Sequence, residues 1–144
     1  MDNKTQNGSL LLGRLFLQLR QLERQPRHFG NVGPLTPSEI HTIDAIGLDG
    51  NLLMNELAAR LNITKGAVTQ LVAKLEIKTL VKRTPHHSDS RATVISLTDE
   101  GIDAYYAHEA EHLKFYSQLQ ASLSEEEIKI FEKCIDTLCN VMRN

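Results

Sequence analysis

The feature that most constrains this chain is the order of elements between residues 56 and 97. "ELAARLNITKGAVTQLVAKLE" puts Leu57, Ala58 and Leu61 on one face of a short helix, then Val68, Leu71, Val72 and Leu75 at helical spacing on a second. Only "NIT" separates them, and Thr64 offers the hydroxyl that caps the second helix. A short helix, a tight turn and a second helix make a helix-turn-helix. Two β-branched runs follow, "LVKRT" (80–84) and "ATVISL" (92–97), separated by polar "PHHSDSR", where Pro85 and Asp89 turn the chain. They read as a two-stranded wing. The expected fold class is mainly α with a small β-wing, a winged helix-turn-helix.

Helix punctuation sets the flanks. In "TPSE" (36–39) Thr36 caps, Pro37 takes the first helical position and Glu39 reaches back, which is a capping box. "SEEE" (124–127) repeats the device with Ser124 and Glu127, and its acids suit the positive end of the helix dipole. Thr98 in "LTDEG" caps a long helix running to about Gln120. Leu53 and Met54 stand where a hydroxyl cap is usual before "NELAARL", so that helix start is less clearly marked. The first helix carries Leu11, Leu12, Leu15, Phe16, Leu19 and Leu22, more apolar surface than one small core needs. Ile128, Phe131, Ile135, Leu138 and Met142 form a second such stripe near the far end. Both helices call for partners.

A chain of 144 residues fits one domain with a real core. A low aromatic share of 5% without Trp favours helices over a sandwich. "LLLGRLFLQL" (10–19) is too short to span a membrane and is broken by Arg14, and "MDNKTQNGS" has no basic signal-peptide start. The expectation is a cytoplasmic protein with no membrane partner. Cys134 and Cys139, five apart on a helix, point to different sides and read as small apolar side chains rather than a disulfide or metal pair.

Charge is segregated. Lys65, Lys74, Lys78, Lys82, Arg83 and Arg91 face only Glu76 and Asp89 between 65 and 91, a net +4, whereas residues 98–144 carry a net -6. Such a division suits a domain that presents one surface to phosphate.

These strings, with a wing ending "DSRATVISLTDEG", resemble the MarR-type winged-helix regulators, whose wing holds D-x-R before a strand and "LT..G". The likeness covers about residues 36–101, and the flanking helices match in placement. It implies a single MarR-like domain over 1–144, with dimerisation helices at 9–24 and 124–143, a winged-helix DNA-binding lobe at 36–97 and a long connecting helix at 98–120. It also implies a homodimer that binds double-stranded DNA at a pseudo-palindromic operator.

Contacts with DNA then follow from residue chemistry. Away from its apolar stripe the second helix shows Lys65, Gly66, Thr69, Gln70, Ala73 and Lys74. Gly66 and Ala73 let backbone approach the groove, Gln70 can pair with an adenine edge, and Thr69 can bond a base or a phosphate. Lys65 and Lys74 read as phosphate contacts, as does Arg60 on the preceding helix. In the wing, Arg91 resembles the family arginine that enters a narrow minor groove, with Asp89 placed to hold its guanidinium by a bidentate pair.

One motif points elsewhere. His108-Glu109-Ala110-Glu111-His112 spells H-E-x-x-H, two imidazoles and a glutamate on one helical face. A catalytic zinc site needs a third ligand, an open coordination position and a substrate cleft, and a winged helix with its flanking helices leaves no chain for them. An enzyme is not expected. Tyr105, His108, His112, Tyr116 and Leu119 share one helical line, so both imidazoles are expected to face inward. A zinc-sensing branch of the resembled family uses an acidic or thiol residue at the end of the first helix, a histidine in the second, and His-x-x-x-His after the wing. Glu23, His41, His108 and His112 match that set. The resemblance implies one zinc ion per subunit, since Phe29, Ile40 and Ala107 stand where relatives with a second site carry a thiol and acids. It further implies zinc as co-repressor of zinc-uptake genes. The alternative is a repressor released by a small aromatic or phenolic ligand in the dimer cleft, its carboxylate paired by Arg14, Arg20 or Arg24. An adaptor that pairs with protein is a third reading, disfavoured by the +4 stretch. His86 and His87 face solvent or phosphate on this reading.

Overall fold

A computed structural model describes residues 2–143. Its contacts divide into two compact units, 1–107 and 108–144. The first unit holds helix α1 (Asn3–Leu22), strands β1 (Arg27–Phe29) and β2 (Val32–Leu35), and helices α2 (Pro37–Ile46), α3 (Met54–Leu61) and α4 (Lys65–Ile77). It also holds strands β3 (Leu52–Leu53), β4 (Val81–Pro85) and β5 (Thr93–Leu97). Helix α5 (Asp99–Ser122) begins there and continues into the second unit, which ends in α6 (Glu125–Arg143).

The expected fold class stands: helices dominate, with α3 and α4 as the helix-turn-helix and β4 and β5 as the wing. Asn62 at φ 53 ends α3 in the left-handed conformation, and Thr64 Oγ1 accepts the Ala67 N–H at 3.1 Å to start α4. The short turn brings Val68, Val72 and Leu75 of α4 against Leu57 and Ala58 of α3, all buried. Ile40, Ile43 and Ile46 of α2 complete the layer. Each such valine, leucine or isoleucine removed from water contributes roughly 1.5–3 kcal/mol.

The wing differs from the two-stranded ribbon expected. Its sheet has the order β3-β5-β4, all antiparallel, because Leu52 and Leu53 pair with Ile95 and Val94. Two residues are too few to show alternation, so this strand left no sequence pattern. The β1–β2 hairpin is a second addition, turned at Gly30 with φ +61, where a residue carrying Cβ would be strained. It inserts Phe29 and Leu35, each 1% exposed, into the core. The first helix also starts earlier than residue 9, at Asn3, and ends at Leu22 with Glu23 as its cap. No residue of α1 is buried within the chain.

At the base of the wing the backbone of α5 lies directly on that of the β4 entry. Thr98 donates its N–H to the Leu80 carbonyl (3.1 Å) and its hydroxyl to the Thr79 carbonyl (2.6 Å). A Cβ on Gly101 would sit 2.0 Å from the Leu80 oxygen, so the "LTDEG" glycine is fixed by close approach. In the second unit Ser124 and Glu127 form the expected capping box, at 3.0 and 3.2 Å, and Tyr116 of α5 donates to Glu132 of α6. That bond, which is lost if the phenol ionises beside the carboxylate, raises the Tyr116 pKa above the ordinary tyrosine value.

Candidate nucleic-acid interface

Helix α4 buries Val68, Val72 and Leu75 and leaves Lys65, Gly66, Thr69, Gln70 and Lys74 exposed, with Ala73 half-buried. This is the division the apolar spacing implied. Thr69 Oγ1 donates to the Lys65 carbonyl one turn back (2.7 Å), which leaves its lone pairs available outward. Lys65, Lys74 and, on β4, Lys82 make no ion pair among the described residues.

Lys78 and Arg83 of the basic stretch, and Arg60 on α3, have internal work. Lys78, at the C-cap of α4, lies 2.6 Å from Glu39 Oε2 and donates to the Pro34 carbonyl at 3.2 Å. Glu39 is 3% exposed, and burial alone would raise its pKa. The bonds from Lys78 and Thr36 outweigh that and hold the carboxyl below its ordinary value. Arg83 of β4 pairs with Glu76 of α4 at 2.6 Å and ties the wing to the helix. Arg60 donates Nη1 to the Ala45 carbonyl at 2.8 Å, near the negative end of the α2 dipole. Its placement fixes α3 against α2.

In the wing, His86 N–H bonds the Ala92 carbonyl (2.8 Å) and Ala92 N–H the Asp89 carbonyl (3.1 Å), closing the tip. Asp89 Oδ1 accepts the Arg91 backbone N–H at 3.0 Å and lies 3.5 Å from Arg91 Nε. The pairing is through one oxygen rather than the bidentate grip expected, because the same oxygen caps the turn. The Arg91 side chain stays 93% exposed at the wing tip.

The expected metal ligands occur as two pairs, one in each unit. In the first unit His41 Nε2 lies 3.0 Å from Glu23 Oε1, across 18 residues of sequence. In the second the His108 and His112 rings are 4.2 Å apart on successive turns of α5. Neither pair gathers a third His, Cys, Asp or Glu among the described residues. His108 is 4% exposed but His112 is exposed, so only the first of these imidazoles faces inward within one chain.

Residues 34–92 match the model of the MarR family, the stretch that holds α2, the helix-turn-helix and most of the wing. Over that stretch the chain is similar to the MarR family, and its fold is a winged helix. The transcriptional repressor MdtR of Bacillus subtilis is 31% identical over 94 residues, 65% of this chain. The chain spans 61% of the length of that relative. The transcriptional regulator ZitR of Lactococcus lactis is 30% identical over 90 residues, 60% of this chain and 62% of ZitR. Among solved structures, Streptococcus pneumoniae FabT in complex with DNA superposes with a TM-score of 0.73 at 25% identity, covering 99% of this chain and 98% of FabT. The zinc-responsive MarR family member ZitR gives a TM-score of 0.67 at 23% identity, covering 98% and 99%, a likeness of fold. The first of these relatives is named as a transcriptional repressor and the second as a transcriptional regulator.

Proposed function

We propose that this chain is a homodimeric DNA-binding transcriptional repressor. The observation that carries the reading is the exposed face of α4, where Lys65, Gly66, Thr69, Gln70 and Lys74 face solvent and the two lysines form no ion pair among the described residues, together with an exposed Arg91 on the wing. The FabT–DNA complex supports it, as a protein of the same fold in complex with DNA. Gln70 and Thr69 would read base edges, Lys65 and Lys74 would neutralise phosphates, and Arg91 would enter the minor groove. The apolar faces of α1 and α6, exposed at Leu11, Leu17, Leu22, Ile135 and Met142, are the surfaces a second copy would cover. A two-fold pair places its recognition helices on half-sites about one turn, roughly 34 Å, apart.

The metal reading is finer. We propose that Glu23, His41, His108 and His112 share one zinc ion per subunit and that zinc acts as co-repressor. The fit rests on the donors present. The 3.0 Å between Glu23 Oε1 and His41 Nε2 is close to the ~3.3 Å edge of a tetrahedron whose ligands lie about 2.0–2.1 Å from zinc. Three imidazoles and one carboxylate are a closed, non-catalytic set. Zinc would supply a cross-link between α1, α2 and α5. Coupling of about 1–3 kcal/mol would then change operator affinity about 5- to 150-fold.

The test is a gel shift on a selected operator with added zinc or chelator, on the native chain and on His112→Ala. Zinc should tighten native binding and leave the variant unmoved. Native binding that ignores both additions removes the metal reading while keeping the DNA one. No salt-sensitive shift of any duplex removes the DNA reading as well.

A further inference from the structure

The wing tip carries two histidines that the reading above does not use. His86 and His87 follow Pro85 at the end of β4, their rings stacked with centroids 4.5 Å apart and planes 25° from parallel. The His86 ring is held in place. Its Nδ1 accepts the Ser88 backbone N–H at 3.2 Å and lies 3.0 Å from the Ser88 hydroxyl. A backbone N–H can only donate, so Nδ1 must keep its lone pair and the neutral ring carries its hydrogen on Nε2. His86 thus presents a donor whatever the pH. His87 is exposed and stacks on this fixed ring.

Among the described residues no carboxylate pairs with either ring. Asp89 is the one acid between residues 82 and 98, and its Oδ1 is engaged by Arg91. The other charged groups of the wing strands and tip are Lys82, Arg83 and Arg91, all cationic, with Arg83 held by Glu76. Among the described residues neither imidazole has an ion-pair partner.

We propose that the His86–His87 stack is a proton-linked DNA contact, His86 fixing the platform and His87 supplying a charge that a backbone phosphate neutralises at mildly acidic pH. The inference rests on the DNA-binding reading and adds a condition that reading does not contain: the wing grips DNA by one more ionic contact when acid than when alkaline. Protonation is favoured by the polyanion, so affinity rises as pH falls.

The experiment measures affinity for a duplex selected from a randomised pool by the protein itself, at roughly 50 and 200 mM salt and at about pH 5.5 and 8. It uses the native chain, His87→Gln and His87→Lys, with thermal melting to show that each folds alike. One phosphate contact adds about 0.9 to the salt slope, about 3.5-fold in affinity across that salt range. The native slope should exceed that of His87→Gln by about this amount at the acid pH and match it at the alkaline one, while His87→Lys keeps the steep slope at both. Equal pH dependence in the native chain and His87→Gln overturns the inference and leaves the DNA reading intact. No salt-dependent binding at either pH overturns both.

Discussion

Replacing Gly101 by Ala adds one methyl group at the tightest backbone contact described here. The new Cβ would lie 2.0 Å from the Leu80 carbonyl oxygen and 3.3 Å from the Leu97 Cβ. Ordinary contact lies beyond about 3.4 Å, so α5 and the β4 entry must part by more than about 1 Å, a small-to-large insertion that typically costs about 1–3 kcal/mol. The shift also strains the bonds that Thr98 gives to Leu80 and Thr79, at about 1 kcal/mol each. The total is about 3–5 kcal/mol, out of a usual 5–15 kcal/mol. At about 2–4 °C per kcal/mol for a chain of this size, Tm should fall by roughly 6–20 °C. Far-UV circular dichroism melts at matched protein concentration would measure it. The same substitution at Gly66 is the control, because a Cβ there meets nothing within 4 Å. A Gly101→Ala protein melting within about 2 °C of the native one would refute the close-approach argument.

Further outcomes follow from the same contacts. Gly66→Ala should raise stability by about 0.5–1 kcal/mol in a melt, yet weaken operator binding by roughly tenfold, the scale of one base-edge contact. Lys78→Met strands the buried Glu39 carboxylate. Breaking a fully buried pair costs about 3–5 kcal/mol, but Lys78 is 40% exposed, so solvent screening reduces the loss to about 1–3 kcal/mol in urea unfolding at neutral pH. Because the folded Glu39 pKa is lowered, its contribution is present above the ordinary carboxylate value and lost as pH falls through the lowered one. The difference between native and Lys78→Met midpoints should therefore shrink on acidification, and a constant difference would contradict the ion pair. Lys74→Ala should weaken all DNA sequences alike and lower the salt slope by about 0.9.

The elements with strong local codes were readable without coordinates. Thr36 and Glu39, Ser124 and Glu127, and Thr64 cap the helices their spacing assigned them, since a cap is decided by residues three apart. Helix α3 shows what a missing cap leaves: Leu53 has no acceptor, so only Glu56 reaches back, bonding the Leu53 N–H at 3.0 Å. The β1–β2 hairpin was missed although Gly30 and Asn31 are turn residues, because Val32 to Leu35 includes Pro34 and reads poorly as a strand. The basic stretch and Arg60 suggest one surface by charge alone, yet Lys78, Arg83 and Arg60 bond partners that tertiary packing brings from 39, 7 and 15 residues away. Sequence periodicity sees a helix face. It does not see which carbonyl or carboxylate another element will bring beside it.

The third strand of the wing has a further consequence. With β5 in the middle, the sheet exposes only two rims, one of them just Leu52 and Leu53 and the other β4, whose run Lys82-Arg83-Thr84-Pro85 is charged and ends on an imide nitrogen that cannot donate. An incoming strand from a neighbouring molecule finds no long, flat, neutral template. Neighbouring copies are thereby guarded against zipping their wings into aggregates.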